Sequence, residues 1–350
     1  MRLAYFNMGT SKSQELFASF SCVFSGVLLY FIHYERGTKA VKRILCVLLL
    51  CVLLCGCARE QPGRGQTLFC MNTFMDMTFW GSDADAAAED ITEMLTGLEK
   101  TWSVTRGDSS LYTGNFTAEQ QALLDRAEAL QLRTGGAFDP RLRSLSTLWG
   151  FYNAQNQEPD FTLPTQAQIE QALADPQWDL GGILKGYAGE LAVQALEALN
   201  IDRAILNLGG NVQTYGEKPD GTPWNIAIQS PDGGGHLGVV SVMGTVSVVT
   251  SGDYQRYFEK DGVRYHHILD PETGSPAASG LRSVTVICQS GTAADALSTA
   301  LFVMGLDKGV ELWRQSDDFE AVFVLSDGRI CATQGAALSG CEYEVIGREN

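Results

Sequence analysis

The chain has few basic residues. Its 350 residues include 25 lysines and arginines against 41 aspartates and glutamates, which gives a formal net charge of −16. A nucleic-acid binder needs cationic side chains to neutralise phosphates, so this deficit argues against nucleic acid as a partner. It also argues against a basic patch that binds a membrane surface, and the acidity mainly supports solubility.

Metal-binding cysteine motifs are also missing. The chain has nine cysteines, but the four that follow residue 57 show no C-x-x-C spacing and no zinc signature. Cys331 and Cys341 form either a disulfide, as suits an exported protein, or a pair of buried thiols. The sequence shows no internal repeat and no low-complexity tract.

The N-terminal region has the order of a secretory signal. Residues 39–43 are basic, and residues 44–54 form an apolar run of eleven residues, which is short for a membrane-spanning helix. The Leu-Cys-Gly-Cys that ends this region resembles a lipobox. Cys57 follows a small residue and is the predicted lipidation site, whereas Cys55 follows bulky leucines and fits less well. An uncleaved membrane anchor is the alternative.

These features divide the chain into four parts. Residues 1–38 have no recognisable role and suggest an over-extended start, residues 39–57 are the predicted lipoprotein signal peptide, and residues 58–67 are a polar linker. Residues 68–345 form the functional domain, which is long enough to bury a sizeable core. We therefore expect an extracytoplasmic protein that a lipid anchor holds at the cell membrane.

Hydrophobic periodicity predicts helices and strands in mixed order. The pattern predicts a strand over 68–81, an amphipathic helix over 83–101, a short strand over 203–208, and helices over 292–304 and 307–316. These elements do not alternate strictly as β-α-β units. The order therefore favours an α+β fold with mixed sheets and packed helices over a doubly wound parallel sheet.

Two glycine-rich turns are candidate ligand loops. Residues 179–186 (DLGGILKG) open a predicted helix, where the glycines permit close backbone approach and the helix N-terminus favours an anion. Lys185 in this loop can reach a phosphate or a ring carbonyl. Its spacing is neither Walker A nor the dinucleotide-binding fingerprint, and a purely structural loop is the alternative. Residues 207–211 (NLGGN) are either a second ligand loop or a tight turn that ends a strand.

One helix face offers oxygen ligands for a hard cation. Asp295, Ser298 and Thr299 lie at i, i+3 and i+4, so their side chains share one face of the predicted helix. One carboxylate and two hydroxyls make a plausible Mg²⁺ shell if ligand phosphates and a backbone carbonyl complete it. A helix cap or a solvated face is the alternative for this common pattern.

Histidine is scarce, and two of the four histidines are adjacent. His266 and His267 lie in a predicted strand, where successive side chains point to opposite faces. One of them can face a site while the other packs, although a core histidine is the alternative reading. Two histidines without a third ligand do not make a zinc site. Ser251 lies outside any nucleophile-elbow motif, which argues against a serine hydrolase.

Eight segments of the chain together resemble one family. The resemblance is to the ApbE family, the FAD:protein FMN transferases, and the segments occur in the family's order across almost the whole mature chain. The stretch 250–305, with TSGDYQRYFEKDGVRYHHILDPETGSPA and ADALSTALF, is the most specific. The matching segments are 71–81, 102–115, 135–151, 179–188, 205–216, 223–231, 250–277 and 283–305.

The resemblance implies a fold and a reaction. The fold is the ApbE, T-fold-like α+β architecture with an FAD cleft between two lobes. Mg²⁺ binds the pyrophosphate of FAD, a Thr or Ser hydroxyl of a target flavoprotein attacks the phosphorus on the FMN side, and AMP leaves. The target would be a redox-complex subunit or an exported reductase. The alternatives are an Mg²⁺-dependent FAD pyrophosphatase and a non-catalytic FAD-binding lipoprotein.

The family's functional residues carry over to matching positions of this chain. Asp295 and Thr299 would bind the metal with Ser298 adjacent, the backbone carbonyl of Gly182 would add a third oxygen, and His267 would assist proton transfer, a role that Asp295 could share. The flavin nucleotide would contact Met71, Thr105, Ala137, Phe138, Asp139, Asp179, Lys185 and Leu269. The chain departs from the family pattern beside Met71, at Cys70 and Asn72, and after Asp139, at Arg141 and Arg143.

Overall fold

The computed structural model describes residues 62–152 and 160–348. Their helices are α1 (Ala84–Trp102), α2 (Ser110–Thr113), α3 (Ala118–Arg133), α4 (Arg143–Leu148), α5 (Gln166–Leu173), α6 (Leu184–Glu197) and α7 (Gly291–Arg314). Their strands are β1 (Arg64–Cys70), β2 (Thr73–Gly81), β3 (Ile201–Asn207), β4 (Asn211–Tyr215), β5 (Trp224–Gln229), β6 (His236–Val242), β7 (Ser247–Gly252), β8 (Tyr257–Lys260), β9 (Val263–His266), β10 (Leu281–Cys288), β11 (Phe319–Leu325), β12 (Ile330–Thr333), β13 (Leu338–Ser339) and β14 (Glu344–Ile346).

A nine-stranded sheet forms the centre of the fold. Its strand order is β1-β2-β3-β4-β7-β10-β11-β12-β14, and β13-β6-β5 and β8-β9 form two further sheets. All neighbours in the large sheet are antiparallel except β12 and β14, which are parallel. The predicted α+β class, with mixed sheets and packed helices, is confirmed.

Side-chain alternation along β2 explains how this sheet is covered. Met75, Met77 and Phe79 are buried on one face and pack in a core cluster with Ile91 and Leu95 of α1. Burial of each such side chain contributes roughly 1.5–3 kcal/mol. The residues between them point to the opposite face, where the three-stranded sheet covers the far end of β2.

The predicted strand over 68–81 is two strands. Met71 and Asn72 have φ of 50° and 58° and form a two-residue turn between β1 and β2. This is the geometry of a type I′ hairpin, which usually contains glycine, so the sequence carried no turn signal here. β1 begins at Arg64, so residues 64–67 of the predicted linker 58–67 belong to the sheet, because pairing with β2 orders this polar stretch.

Helix α7 crosses the buried face of the sheet. The predicted break between residues 304 and 307 lies at Gly305, which has φ of 77° and interrupts the helical backbone. Its first half is almost wholly buried, from Gly291 to Phe302. The adjacent α6 packs directly on it, and these two helices carry most of the polar residues discussed below.

A smaller layer lies beside this main body. Helices α4 and α5 and the β8–β9 hairpin share a separate apolar cluster, which contains Leu145, Trp149, Ile169, Phe258 and Leu269. In the part of the chain that the structure describes, no helix is both long and apolar enough to cross a membrane. The predictions for residues 1–38, for residues 39–57 and for Cys57 lie outside the described residues.

Candidate active site

A cavity of about 500 Å³ lies where the smaller layer meets the large sheet. Its walls come from the β1–β2 turn, the loop before α6, the β3–β4 loop, the start of α7 and the segment after β9. The lining includes eleven of the residues singled out in the sequence: Met71, Ala137, Phe138, Asp139, Asp179, Gly182, Lys185, His267, Leu269, Asp295 and Thr299.

The β1–β2 turn brings Met71 to the cavity wall. Left-handed backbone costs about 1 kcal/mol or more for a residue that is not glycine, and the turn contains two such residues. Glu99 of α1 compensates, because its Oε1 accepts a 2.8 Å hydrogen bond from the Met71 backbone N–H. Glu99, which does not line the cavity, therefore stabilises the strained turn.

Asp179 organises the loop that precedes α6. Its Oδ1 accepts a 2.9 Å hydrogen bond from the backbone N–H of Gly181, and its Oδ2 accepts from the hydroxyls of Ser146 and Tyr152. Burial, and then the charge of Asp179, raise the pKa of Tyr152 well above its usual range, so Tyr152 stays a donor. Lys185 follows in the first turn of α6, near a helix N-terminus that favours anions.

Helices α6 and α7 meet through two glycines beside Asp295. The backbone N–H of Gly186 donates a 3.0 Å hydrogen bond to Asp295 Oδ2. A Cβ at Gly186 would lie only 2.0 Å from the backbone oxygen of Gly291, so the contact requires glycine. Asp295 is only 3% exposed, and its accessible part faces the cavity. The close packing of the two helices thus sets the position of its carboxylate.

Glu190 fastens the start of α7 to α6. Its Oε1 accepts hydrogen bonds of 2.7 Å from the Ser290 hydroxyl and 3.0 Å from the Thr292 backbone N–H, and Arg126 pairs with its carboxylate. Burial alone would raise the pKa of Glu190, but these donors outweigh it and hold the pKa below the usual value. A carboxylate at this helix N-terminus also complements the helix dipole.

Ser298 and Thr299 both contact the hydroxyl of Ser251, but only Thr299 lines the cavity. Ser251 Oγ lies 2.8 Å from Ser298 Oγ and 3.3 Å from Thr299 Oγ1. Ser298 is fully buried and donates a 2.9 Å hydrogen bond to the Asp295 carbonyl, so it supports the wall and does not line the cavity. Thr299 does line it, opposite Gly182, where a Cβ would lie 3.6 Å from Thr299 Oγ1.

The two adjacent histidines face different surroundings, although only His266 lies in β9 and His267 follows it in a bend. His266 is buried, its Nε2 donates to the Ala277 carbonyl at 3.1 Å, and its ring meets Phe302 edge-on. His267 lines the cavity, and its Nδ1 lies 3.2 Å from the Arg256 carbonyl. A carbonyl only accepts, so Nδ1 carries the proton and Nε2 is left as the acceptor.

The surroundings of His267 keep it neutral. Its ring is partly exposed in the cavity wall, and desolvation there lowers its pKa well below 6.5. The positive charges of Arg256 and Lys185 act in the same direction. A neutral imidazole with an unprotonated nitrogen at neutral pH can accept a proton, and its lowered pKa makes it a weaker base than a free histidine.

Thr105 lies outside the cavity lining, so its predicted contact with the flavin nucleotide stays a prediction. It is exposed in the loop between α1 and α2, where its hydroxyl and backbone N–H contact Ser103 Oγ at 3.1 and 3.2 Å. The loop holds Thr105 by a local side-chain hydrogen bond, which sequence matching does not detect.

The lining also contains residues that sequence reasoning did not select. All but Tyr152 lie inside the matching segments, where a lone polar or aromatic residue is not distinctive. These residues include Ser146, Tyr152, Gln229, Ser251, Tyr254 and Arg256.

Comparison with known proteins fits this arrangement. The sequence model of the ApbE family matches residues 71–323. The chain belongs to the ApbE family. It is 36% identical over 294 residues to the FAD:protein FMN transferase of Treponema pallidum, covering 73% of this chain and 81% of that protein. It is 33% identical over 272 residues to one from Klebsiella pneumoniae, covering 69% and 83%.

Solved ApbE structures share the fold. The ApbE protein of Thermotoga maritima superposes with a TM-score of 0.71 at 33% identity, covering 77% of this chain and 96% of that one. The apo flavinyl transferase ApbE of Pseudomonas stutzeri gives a TM-score of 0.65 at 31% identity, covering 77% and 94%. The predicted family and ApbE-like architecture are confirmed.

Proposed function

We propose that this ApbE protein transfers FMN from FAD to a Thr or Ser hydroxyl of a target flavoprotein. The observation that carries the proposal is one cavity whose wall joins Asp295, Thr299 and Gly182 with a neutral His267. The relatives named FAD:protein FMN transferase, at up to 36% identity, support the same activity.

The cavity offers both apolar and cationic surroundings to a flavin nucleotide. Met71, Phe138 and Leu269 supply apolar and aromatic surface, as ligand pockets for planar rings do. Lys185 supplies a cation in the first turn of α6, where backbone N–H groups also favour a phosphate. The isoalloxazine ring would pack on the apolar side chains, and the pyrophosphate would lie near Lys185 at the start of α6.

The donor set at α7 fits a magnesium ion. Asp295 supplies a carboxylate, Thr299 a hydroxyl and Gly182 a backbone carbonyl, all hard oxygen ligands of the kind that Mg²⁺ takes together with water and phosphate oxygens. Among the described residues no group of three or more His, Cys, Asp or Glu side chains is placed for a metal, so the proposed ligand set relies on hydroxyl and carbonyl oxygens besides Asp295. Bound Mg²⁺ would neutralise pyrophosphate charge and stabilise the departing phosphate.

His267 acts as the base in this proposal. Its Nε2 takes the proton of the acceptor hydroxyl as the new oxygen–phosphorus bond forms to FMN and the phosphoanhydride bond to AMP breaks. AMP leaves with the electron pair of that bond. General-base assistance of this type contributes typically ~10²–10⁴-fold. Asp295 is less suited, because one of its oxygens already accepts from Gly186.

The partner and location belong to the same proposal. The acceptor is a flavoprotein that carries a Thr or Ser motif, in a redox-complex subunit or an exported reductase. We place the enzyme outside the cytoplasm, tethered by lipid at Cys57. The charge of −16 for the chain argues against nucleic acid as the partner.

Intact-protein mass spectrometry tests the proposal. The described domain is incubated with FAD, Mg²⁺ and a recombinant flavoprotein subunit carrying the acceptor motif, with and without EDTA. We expect the acceptor to gain the mass of FMN only without EDTA, with AMP released in equal amount. Release of free FMN and AMP with no acceptor gain would instead indicate a pyrophosphatase. Bound FAD with no product would indicate a binding protein.

A further inference from the structure

Two exposed phenylalanines lie beside the β1–β2 turn. Phe69 is 59% exposed and Phe74 is 68% exposed. They are direct cross-strand partners, and their rings meet edge-to-face with centroids 5.1 Å apart. An apolar pair of this size left in water is a typical feature of a protein-binding surface.

Both rings lie on the face of the sheet that α1 does not cover. On β2 the alternate residues Met75 and Met77 point into the core, so Phe74 and Asp76 point outward. At the far end of the same face, Trp80 is covered by Trp224 of the three-stranded sheet, with ring centroids 6.1 Å apart. Among the described residues, no element packs over Phe69 and Phe74 in this way.

This surface adjoins the cavity at its Asp76 edge. Asp76 is paired in register with Asn207, which lines the cavity, and directly paired residues of adjacent strands point to the same face. Thr73 also lines the cavity, but it alternates with Phe74 and points to the other face of the sheet. A chain segment that lies on the two phenylalanines and Asp76 is therefore next to the cavity lining at Asn207.

Asp76 adds a charge to the apolar surface. Its Oδ1 accepts a 2.7 Å hydrogen bond from Thr67, and no described side chain donates to its Oδ2. Asp76 is exposed next to Phe74 on the same face. The surface thus presents two aromatic rings and one available carboxylate oxygen, which complements an apolar side chain followed by a cation or an amide donor.

We propose that Phe69, Phe74 and Asp76, here called the hairpin surface, dock the acceptor protein during flavin transfer. This inference rests on the proposed function, because only a macromolecular acceptor has to cross the cavity rim to deliver its hydroxyl. The acceptor places an apolar side chain on the phenylalanine pair and a basic or amide group on Asp76. FAD itself lies inside the cavity and does not need this surface.

The test compares a double variant, F69S with F74S, with the control L132S. Leu132 at the end of α3 is 81% exposed, so its replacement removes exposed apolar surface outside the cavity lining. The acceptor is the flavoprotein subunit used in the mass-spectrometry experiment. We expect the KM for this acceptor to rise about tenfold in the double variant, with kcat and FAD affinity within about twofold of wild type. L132S should behave as wild type.

A charge change gives a second, independent readout. D76K should raise the acceptor KM about as much as the phenylalanine changes, and D76N should raise it less. The dependence on salt should be smaller in both variants than in wild type, because exposed charge pairs are screened.

The outcomes separate the two proposals. If wild-type enzyme modifies no acceptor, the proposed function fails, whatever the hairpin surface does. If wild type transfers FMN and the double variant keeps the same acceptor KM, the docking proposal alone is overturned. It is also overturned if the double variant loses binding to phosphatidylglycerol vesicles at unchanged KM, which would make the pair a membrane contact. If the double variant loses FAD affinity as much as acceptor affinity, the phenylalanine pair has a structural role and the docking proposal is overturned.

Discussion

Replacement of Gly186 by alanine should disable the site without replacing any side chain that lines it. The added methyl group would lie 2.0 Å from the Gly291 backbone oxygen and 2.9 Å from Asp295 Cβ, whereas ordinary contact begins at 3.4 Å. The methyl faces backbone, which cannot rotate away as a flexible side chain can. Helices α6 and α7 must therefore separate locally by more than about 1 Å.

The size of the effect follows from this displacement. Overpacking of a buried contact costs typically 1–3 kcal/mol, so the melting temperature should fall by several degrees. The same shift lengthens the 3.0 Å hydrogen bond from Gly186 to Asp295 and moves the carboxylate. A misplacement of about 1 Å in an active site can cost ~10²-fold, so flavin transfer should fall by about a hundredfold.

Gly97 provides a matched control for this experiment. It lies in helix α1, and a Cβ there would meet nothing within 4 Å. G97A should stabilise the protein by about 0.5–1 kcal/mol, because alanine favours helix, and should leave transfer unchanged. Thermal unfolding and initial transfer rates are measured for both variants. Equal melting temperatures and equal rates for G186A and wild type would refute the proposed role of the helix contact.

Three further predictions concern charge and protonation. D295N keeps an oxygen for the Gly186 N–H but loses the carboxylate charge. Mg²⁺-dependent transfer should therefore fall by at least about a hundredfold, with little change in melting temperature. If the transfer rate of D295N depends on Mg²⁺ concentration as that of wild type does, Asp295 does not bind the metal. The pKa of His267 is lowered in the folded state, whereas in the unfolded chain it is near 6.5. As the pH falls below about 6.5, the unfolded chain is protonated first, so the free energy of unfolding should decrease. H267Q should show a shallower decline of melting temperature with acid, and a curve identical to wild type would contradict this. Burial and the charge of Glu99 raise the pKa of Cys70 to about 12, so iodoacetamide at pH 8 should label it only after unfolding, as peptide mass mapping can detect.

Much of the candidate site was predictable because short motifs preserve local geometry. Residues four apart lie on the same face of any α-helix, so the spacing predicts that Asp295 and Thr299 are neighbours. The structure places both on the cavity wall. His266 and His267 also face different surroundings, but β9 ends at His266, so strand alternation alone does not set the direction of His267. Ser298 shares the helical spacing but contacts Ser251 and faces away from the cavity, which depends on a strand 47 residues earlier in the chain.

One prediction was wrong where a tertiary contact overrides the local pattern. The hairpin at Met71 and Asn72 has no glycine to signal a turn, and Glu99 from a helix 28 residues later stabilises its strained backbone. Thr105 matched a family position in sequence and lies in an exposed loop, where it contacts Ser103, so its flavin contact stays a prediction.

The sequence by itself determined the family, the α+β class and most of the residues at the cavity, because those depend on residue type and on spacing within one element. Only the tertiary structure decided which nitrogen of His267 is available, why its pKa is lowered, and how Gly186 positions Asp295. It also placed Phe69 and Phe74 in water beside the cavity mouth. These properties depend on burial and on contacts between distant segments, and the linear pattern of one chain does not contain them.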